Sequence, residues 1–108
     1  MSKKRMFQEI KDLAKRIRDL SNVAAVEYGA VVENIIRSGC RDANEIEHTL
    51  DGLFDFCFDA KVLLLYKKLC RYYYDIDPVA TAHYVSAYRE YWDTPPQKRS
   101  KISHSKSA

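Results

Sequence analysis

The chain has 108 residues, of which 46% are hydrophobic and 31% are charged, and its formal net charge is +3. This length suffices for one domain with a single core, and the composition excludes fibrous and wholly disordered classes. No apolar run approaches the ~20 residues that cross a bilayer. No hydrophobic stretch with a cleavage site follows the basic N-terminus, so we expect neither a membrane span nor a signal peptide.

Charge is divided unevenly along the chain. Residues 1–20 and residues 97–108 each carry a net charge of +4, whereas residues 21–96 carry −5. Two basic ends on an acidic body are suited to contacts with phosphates, so an auxiliary nucleic-acid-binding protein is one hypothesis for function. The residues expected to make these contacts are Lys3, Lys4, Arg5, Lys98, Arg99 and Lys101.

The first predicted helix covers residues 3–20 and is amphipathic. At 100° per residue, its apolar side chains fall on one face and a basic stripe lines another. The apolar members are Met6, Phe7, Ile10, Leu13, Ala14, Ile17 and Leu20, and the basic members are Lys4, Lys11, Lys15 and Arg18. A second helix is predicted over residues 22–38, with a cap at Ser21 or Asn22 and a stop at Gly39.

The middle of the chain predicts two helices, at residues 43–57 and 60–75. Asp42 opens the first of them, with an acid three residues later as in a capping box. The apolar stripe of the second is rotated by roughly half a turn relative to the first, which predicts a break near Asp59. One continuous central helix is the alternative.

Asp77 followed by Pro78 predicts the start of a last helix over residues 78–92. The whole pattern predicts an all-α fold, a compact bundle of four or five helices that forms one domain over residues 1–94. Residues 95–108 are basic, serine-rich and too poor in apolar side chains to fold alone, so we expect a disordered tail.

Residues 69–93 hold six of the eight tyrosines and the only tryptophan, which suggests either a base-stacking platform or a core. The ring-bearing face of the last helix has no Lys or Arg, whereas base stacking needs exposed rings beside a basic groove. We therefore expect that face to point inward. Its members are Ala80, Thr81, Tyr84, Val85, Tyr88, Tyr91 and Trp92.

Some rings are nevertheless expected at the surface. Tyr72, Tyr73 and Tyr74 are consecutive and cannot all point in one direction, so at least one should be exposed. Tyrosine and tryptophan combine an apolar ring with a polar atom, which suits half-wet interfaces. We therefore predict a protein-binding or self-association patch at Tyr74, Tyr91 and Trp92.

Four carboxylates, at Glu47, Asp51, Asp55 and Asp59, recur every four residues along the predicted central region. A solvated helix face is the simplest interpretation of this spacing. The sharper hypothesis is a docking strip for a basic partner, such as the stripe of the first helix or a second copy of the chain. Metal binding would need further ligands from elsewhere.

Catalytic signals are weak. Glu45 and His48 make one Glu-x-x-His pair, whereas di-iron bundles use two such pairs and two further glutamates. The three glycines are scattered, so no phosphate-binding loop is predicted. Cys40, Cys57 and Cys70 are odd in number and far apart, which predicts reduced thiols and a cytoplasmic protein.

These patterns predict no enzyme, with no catalytic residue, no cofactor, no metal site and no small-molecule substrate. The first hypothesis for function is a non-catalytic interaction domain of the adaptor or inhibitor type, acting on a protein partner or as a homodimer. An accessory protein of a phage or mobile element fits this size and composition.

Overall fold

The computed structural model describes residues 2–93, which form four α-helices and no strand. The all-α prediction is confirmed. The helices are α1 (Ser2–Ser38), α2 (Ala43–Phe54), α3 (Ala60–Tyr74) and α4 (Pro78–Tyr91). The predicted tail at residues 95–108 lies outside the described part of the chain.

The predicted break between the first two helices is wrong, because α1 continues through it for 37 residues. The Ser21 hydroxyl oxygen lies 3.0 Å from the carbonyl of Arg18 in the preceding turn, so Ser21 lies inside the helix instead of starting a new one. At 1.5 Å per residue, α1 is about 55 Å long. It ends at Gly39, whose φ of 69° lets the Cys40 amide donate back to the Ile35 carbonyl at 3.0 Å.

The break in the middle of the chain is confirmed, and the single central helix is excluded. The Asp42 carboxylate accepts the Asn44 amide at 3.0 Å and so caps α2, which ends three residues earlier than predicted. The Asp59 carboxylate accepts the Lys61 amide at 2.8 Å and satisfies a free donor in the first turn of α3.

The chain divides into two compact units, residues 1–69 and 70–108, with the boundary inside α3. One domain over residues 1–94 stays a prediction. In the first unit, α2, the second half of α1 and most of α3 supply the core, and the rings of Phe54 and Tyr66 lie 6.1 Å apart. The buried apolar residues there are Ala24, Val32, Ile35, Ile46, Leu50, Leu53, Cys57, Val62, Tyr66 and Leu69.

The second unit contains the end of α3 and all of α4. The Asp77 carboxylate accepts the Ala80 amide at 3.0 Å, and proline follows the cap as predicted. The inward-facing ring prediction holds only in part, because four of the seven members are half-buried, Thr81 is buried, and Val85 and Tyr91 are exposed. Half-burial suits tyrosine, whose ring can be covered while its hydroxyl stays near water. The buried residues of this unit are Cys70, Tyr73 and Thr81.

Candidate interaction surface on the first helix

The first half of α1 presents an apolar face that no described residue covers. All side chains from residue 3 to residue 20 are exposed, and the large apolar ones have exposed fractions of 44–62%. We call this surface the α1 apolar face and define it by Met6, Phe7, Ile10, Leu13, Ala14, Ile17 and Leu20. This part of α1 therefore adds no side chain to the buried core of the described residues. Because α1 is one continuous helix, its first half extends beyond the residues that cover its second half.

Coverage of α1 begins at a polar contact with the start of α3. Ser21 is 1% exposed, and its hydroxyl donates to the Asp59 carboxylate at 3.0 Å. Next to it, Lys61 Nζ donates to Asn22 Oδ1 at 2.8 Å. Burial works against the charge on Asp59, but the Lys61 amide and the Ser21 hydroxyl outweigh it and lower the pKa of Asp59 overall. We call this cluster the α1–α3 anchor.

The second half of α1 is held at further points. Lys68 of α3 donates to the Glu33 carboxylate at 2.6 Å, and Arg37 lies 3.6 Å from the same carboxylate. The hydrogen bond and the charge of Lys68 lower the pKa of Glu33. A Cβ built on Gly29 would lie 3.8 Å from the Leu65 side chain, so this leucine of α3 reaches van der Waals distance of α1 there. The second half of α1 is therefore held by α3, whereas the side chains of residues 3–20 in the first half are exposed.

The basic residues of α1 are also exposed. Lys3, Lys4 and Arg5 lie in the first turns, so half of the predicted nucleic-acid set is on the surface of a helix. Lys11 Nζ lies 5.1 Å from the centroid of the Phe7 ring, within the range of a cation–π interaction. The other half of the set, Lys98, Arg99 and Lys101, lies outside the described residues.

The predicted carboxylate line is only partly on one helix. Glu47 is half-buried in α2, Asp51 is exposed, and Asp55 is the exposed C-cap residue of that helix. Asp59 instead belongs to the α1–α3 anchor, so its assignment to the same face is wrong. The reason is that α2 ends at Phe54, before the helical spacing could reach Asp59.

The predicted aromatic patch is partly at the surface. Tyr74 and Tyr91 are 59% and 56% exposed, and Trp92 is half-buried. The rings of Tyr91 and Trp92 meet edge to face with centroids 4.7 Å apart. Tyr73 is fully buried while Tyr74 is exposed, which confirms that at least one of the three consecutive tyrosines is at the surface.

Residues 2–93 contain no group of three or more His, Cys, Asp or Glu side chains placed to hold a metal ion. Within the same range, each helix is too short or too polar to traverse a lipid bilayer. Cys57 and Cys70 are buried as small apolar side chains, and burial raises the pKa of the Cys70 thiol to about 11.

The sequence contained one signal for the uncovered face. No glycine or proline separates the first two predicted helices, so a continuous α1 was compatible with residues 3–38. The exposure of the face could not be read from its apolar spacing, because a face that packs inside a bundle has the same spacing.

No protein-family model, curated protein or solved structure matches this chain.

Proposed function

We propose that the protein is a non-catalytic interaction module that binds a protein partner through the α1 apolar face. The observation that carries this proposal is the exposure of six large apolar side chains in one continuous stripe, each between 44% and 62%. Contiguous apolar surface of this kind marks interaction sites, whereas single exposed apolar residues are ordinary.

The size of the stripe is consistent with specific binding. Full burial of one large apolar side chain contributes about 1.5–3 kcal/mol, so covering six half-exposed ones contributes roughly 5–9 kcal/mol. Association itself costs about 4–15 kcal/mol. A partner must therefore supply apolar surface of its own, as a helical partner or an apolar groove does.

The charge of the same segment favours some partners over others. Residues 1–20 carry +4, and their basic side chains flank the apolar face. Complementary charge on a partner would speed association and help to fix orientation, while the apolar stripe supplies most of the affinity.

The test compares two double variants of the full chain. Ile10→Gln with Ile17→Gln removes apolar side chains from the face without changing charge, and Lys11→Gln with Lys15→Gln is the matched control on the basic stripe. The immobilised chain is used to recover partners, a second copy included, from nuclease-treated host extract. We expect the isoleucine variant to lose the partner and the lysine variant to keep it. Equal recovery by both variants would contradict the proposal.

Auxiliary nucleic-acid binding is the second candidate, and the exposure of Lys3, Lys4 and Arg5 on α1 supports it. Binding driven by phosphates weakens steeply with salt, whereas an apolar interface does not. DNA or RNA binding that falls with salt, survives in the isoleucine variant and is lost in a variant with Lys3→Gln, Lys4→Gln and Arg5→Gln would favour this candidate.

A separate contact surface for the same function is proposed at Tyr74, Tyr91 and Trp92. Its support is the exposure of the two tyrosines above one half. A folded Tyr74→Ala, Tyr91→Ala variant that keeps the same partners and the same oligomeric state would exclude it.

A further inference from the structure

The α1 apolar face has the spacing of a coiled-coil seam. Its central residues alternate four and three positions apart, with Ile at the a positions and Met or Leu at the d positions. In order, these residues are Met6, Ile10, Leu13, Ile17 and Leu20. Phe7 and Ala14 occupy the flanking e positions, and Glu9 and Arg16 occupy the flanking g positions.

We infer that the partner is a second copy of this chain, and that the two α1 helices pair antiparallel with Ile10 opposite Leu13 of the second copy. In this register, Met6 lies opposite Ile17 of the second copy, and each a residue meets a d residue. The inference rests on the proposed function, because it names the occupant of the α1 apolar face.

Charge complementarity selects this register. In an antiparallel pair the g positions of the two helices face each other, so Glu9 faces Arg16 of the second copy, twice by symmetry. A shift of one heptad in one direction places Glu9 opposite Glu9, and a shift in the other direction places Arg16 opposite Arg16. Neither Glu9 nor Arg16 has an ion-pair partner among the described residues of its own chain, so both charges are available.

Side-chain size agrees with the same register. The e positions also face each other in an antiparallel pair, which brings the large ring of Phe7 beside the small side chain of Ala14 from the second copy. Both residues are exposed in the single chain, where Lys11 Nζ lies over the Phe7 ring, so this contact requires no change in the buried core. Large and small residues that alternate across an interface fill it without voids.

The length of the uncovered segment agrees as well. Pairing Ile10 with Leu13 places Lys3 opposite Leu20, so the exposed segments of the two helices pair along residues 3–20, up to the α1–α3 anchor. The seam is then about 27 Å long and uses all of residues 3–20. A heptad shift one way would leave Ile17 and Leu20 uncovered, and a shift the other way would push the second helix over the covered half of α1.

A parallel pair fits less well. There the g residue of one helix faces the e residue five positions later in the other, so Glu9 would face Ala14 and Arg16 would face Ser21. No ion pair forms in the parallel arrangement. The first turns of the two helices would lie side by side, and the like charges of Lys3, Lys4 and Arg5 in each copy would repel. The antiparallel arrangement separates those turns by the length of the seam.

The test uses charge reversal in the full chain, with dimerisation measured by sedimentation equilibrium at low salt. Glu9→Arg or Arg16→Glu alone turns two attractive pairs into two repulsive pairs, which raises the dissociation constant by about tenfold or more. In an equal mixture of the two variants, the arginine introduced into one chain faces the glutamate introduced into the other, and the unchanged Arg16 faces the unchanged Glu9. The mixture, and the double variant Glu9→Arg, Arg16→Glu, should both recover the parent affinity.

Two controls separate this inference from the proposed function. Ile10→Gln with Ile17→Gln should be monomeric, Lys11→Gln with Lys15→Gln should remain dimeric, and circular dichroism checks that each variant is helical. The antiparallel register is overturned if the single reversals leave the dissociation constant of the dimer unchanged. It is also overturned if mixing the two variants does not restore the parent affinity. If the chain stays monomeric but binds a host protein through the same face, the partner is not a second copy of the chain. The proposed function would still hold in that case.

Discussion

The ring of Tyr28 in α1 lies directly against the backbone of Gly52 in α2. A Cβ on Gly52 would overlap the tyrosine hydroxyl and two of its ring carbons. Glycine inside a helix costs roughly 0.5–1 kcal/mol relative to alanine. Its presence in α2 is therefore explained by the close approach of the two helices at this point, where the ring occupies the volume of a side chain.

Gly52→Ala should destabilise the protein by about 1–3 kcal/mol, because the added methyl group overpacks the contact with Tyr28. In a Tyr28→Ala background the same substitution should stabilise by up to about 1 kcal/mol, through helix propensity alone. Urea denaturation of the four proteins in this double-mutant cycle measures the change of sign. An equal effect in both backgrounds would show that the ring moves aside freely.

The α1–α3 anchor should make stability depend on pH. Its contacts lower the folded pKa of Asp59 below the unfolded value of about 3.9, so the anchor contributes stability at neutral pH and loses it as pH falls through the folded pKa. Asp59→Asn keeps a capping acceptor but removes the charge. We expect the stability difference between wild type and Asp59→Asn to be present at pH 7 and to be smaller at pH 2.

Denaturation at both pH values measures that difference. Asp75→Asn, which makes the same charge change at an exposed position outside the helices, is the control. Asp59→Ala, which also removes the cap, should cost about 0.5–2 kcal/mol more than the control at pH 7. A difference between wild type and Asp59→Asn that is unchanged at low pH would contradict the role of the ionised carboxylate.

The three cysteines should react at different rates. Cys40 is half-buried, whereas Cys57 and Cys70 are buried. With a pKa of about 11, roughly one Cys70 thiol in a thousand is ionised at pH 8. Mass spectrometry after brief alkylation should find one label on the folded chain and three on the unfolded chain. Cys40→Ser should remove the fast label, and rapid labelling of all three in the folded chain would contradict this burial.

Two leucines of α1 and α2 should respond differently to the same substitution. Leu50 is fully buried, and Leu50→Ala should cost about 2–5 kcal/mol of unfolding free energy. Leu13 is 56% exposed, and Leu13→Ala should change the stability of the dilute chain by no more than about 0.5 kcal/mol. Similar losses at both positions would show that the α1 apolar face is covered within the single chain.

Hydrogen exchange should divide α1 at the α1–α3 anchor. An amphipathic helix without tertiary contacts is only marginally stable, so amides of residues 3–20 should exchange faster than those of residues 24–35 in dilute solution. If two copies pair, the first set should slow as the concentration rises. In the variant with Ile10→Gln and Ile17→Gln, the exchange of these amides should not slow as the concentration rises. Uniform protection along α1 at all concentrations would contradict this division.

The sequence by itself determined the class of the fold and most helix ends. Asp42, Asp59 and Asp77 each accept an amide from the turn that follows them, and Gly39 adopts the positive φ that ends α1. These features involve residues two to five positions apart. Because the chemistry of such caps is local, it can be recognised in the sequence without knowledge of the fold.

The tertiary structure alone decided the continuity of α1 and the exposure of its first half. A serine can cap a helix or lie inside one, and Ser21 lies inside one while its hydroxyl also contacts Asp59, 38 positions away. Apolar spacing shows that a helix face favours burial, but the covering residues come from elsewhere in the chain or from another molecule. The stripes of residues 6–20 and 24–35 are both helically spaced. Among the described residues, only the second stripe is covered by other helices, because α2 and α3 pack against that half of α1.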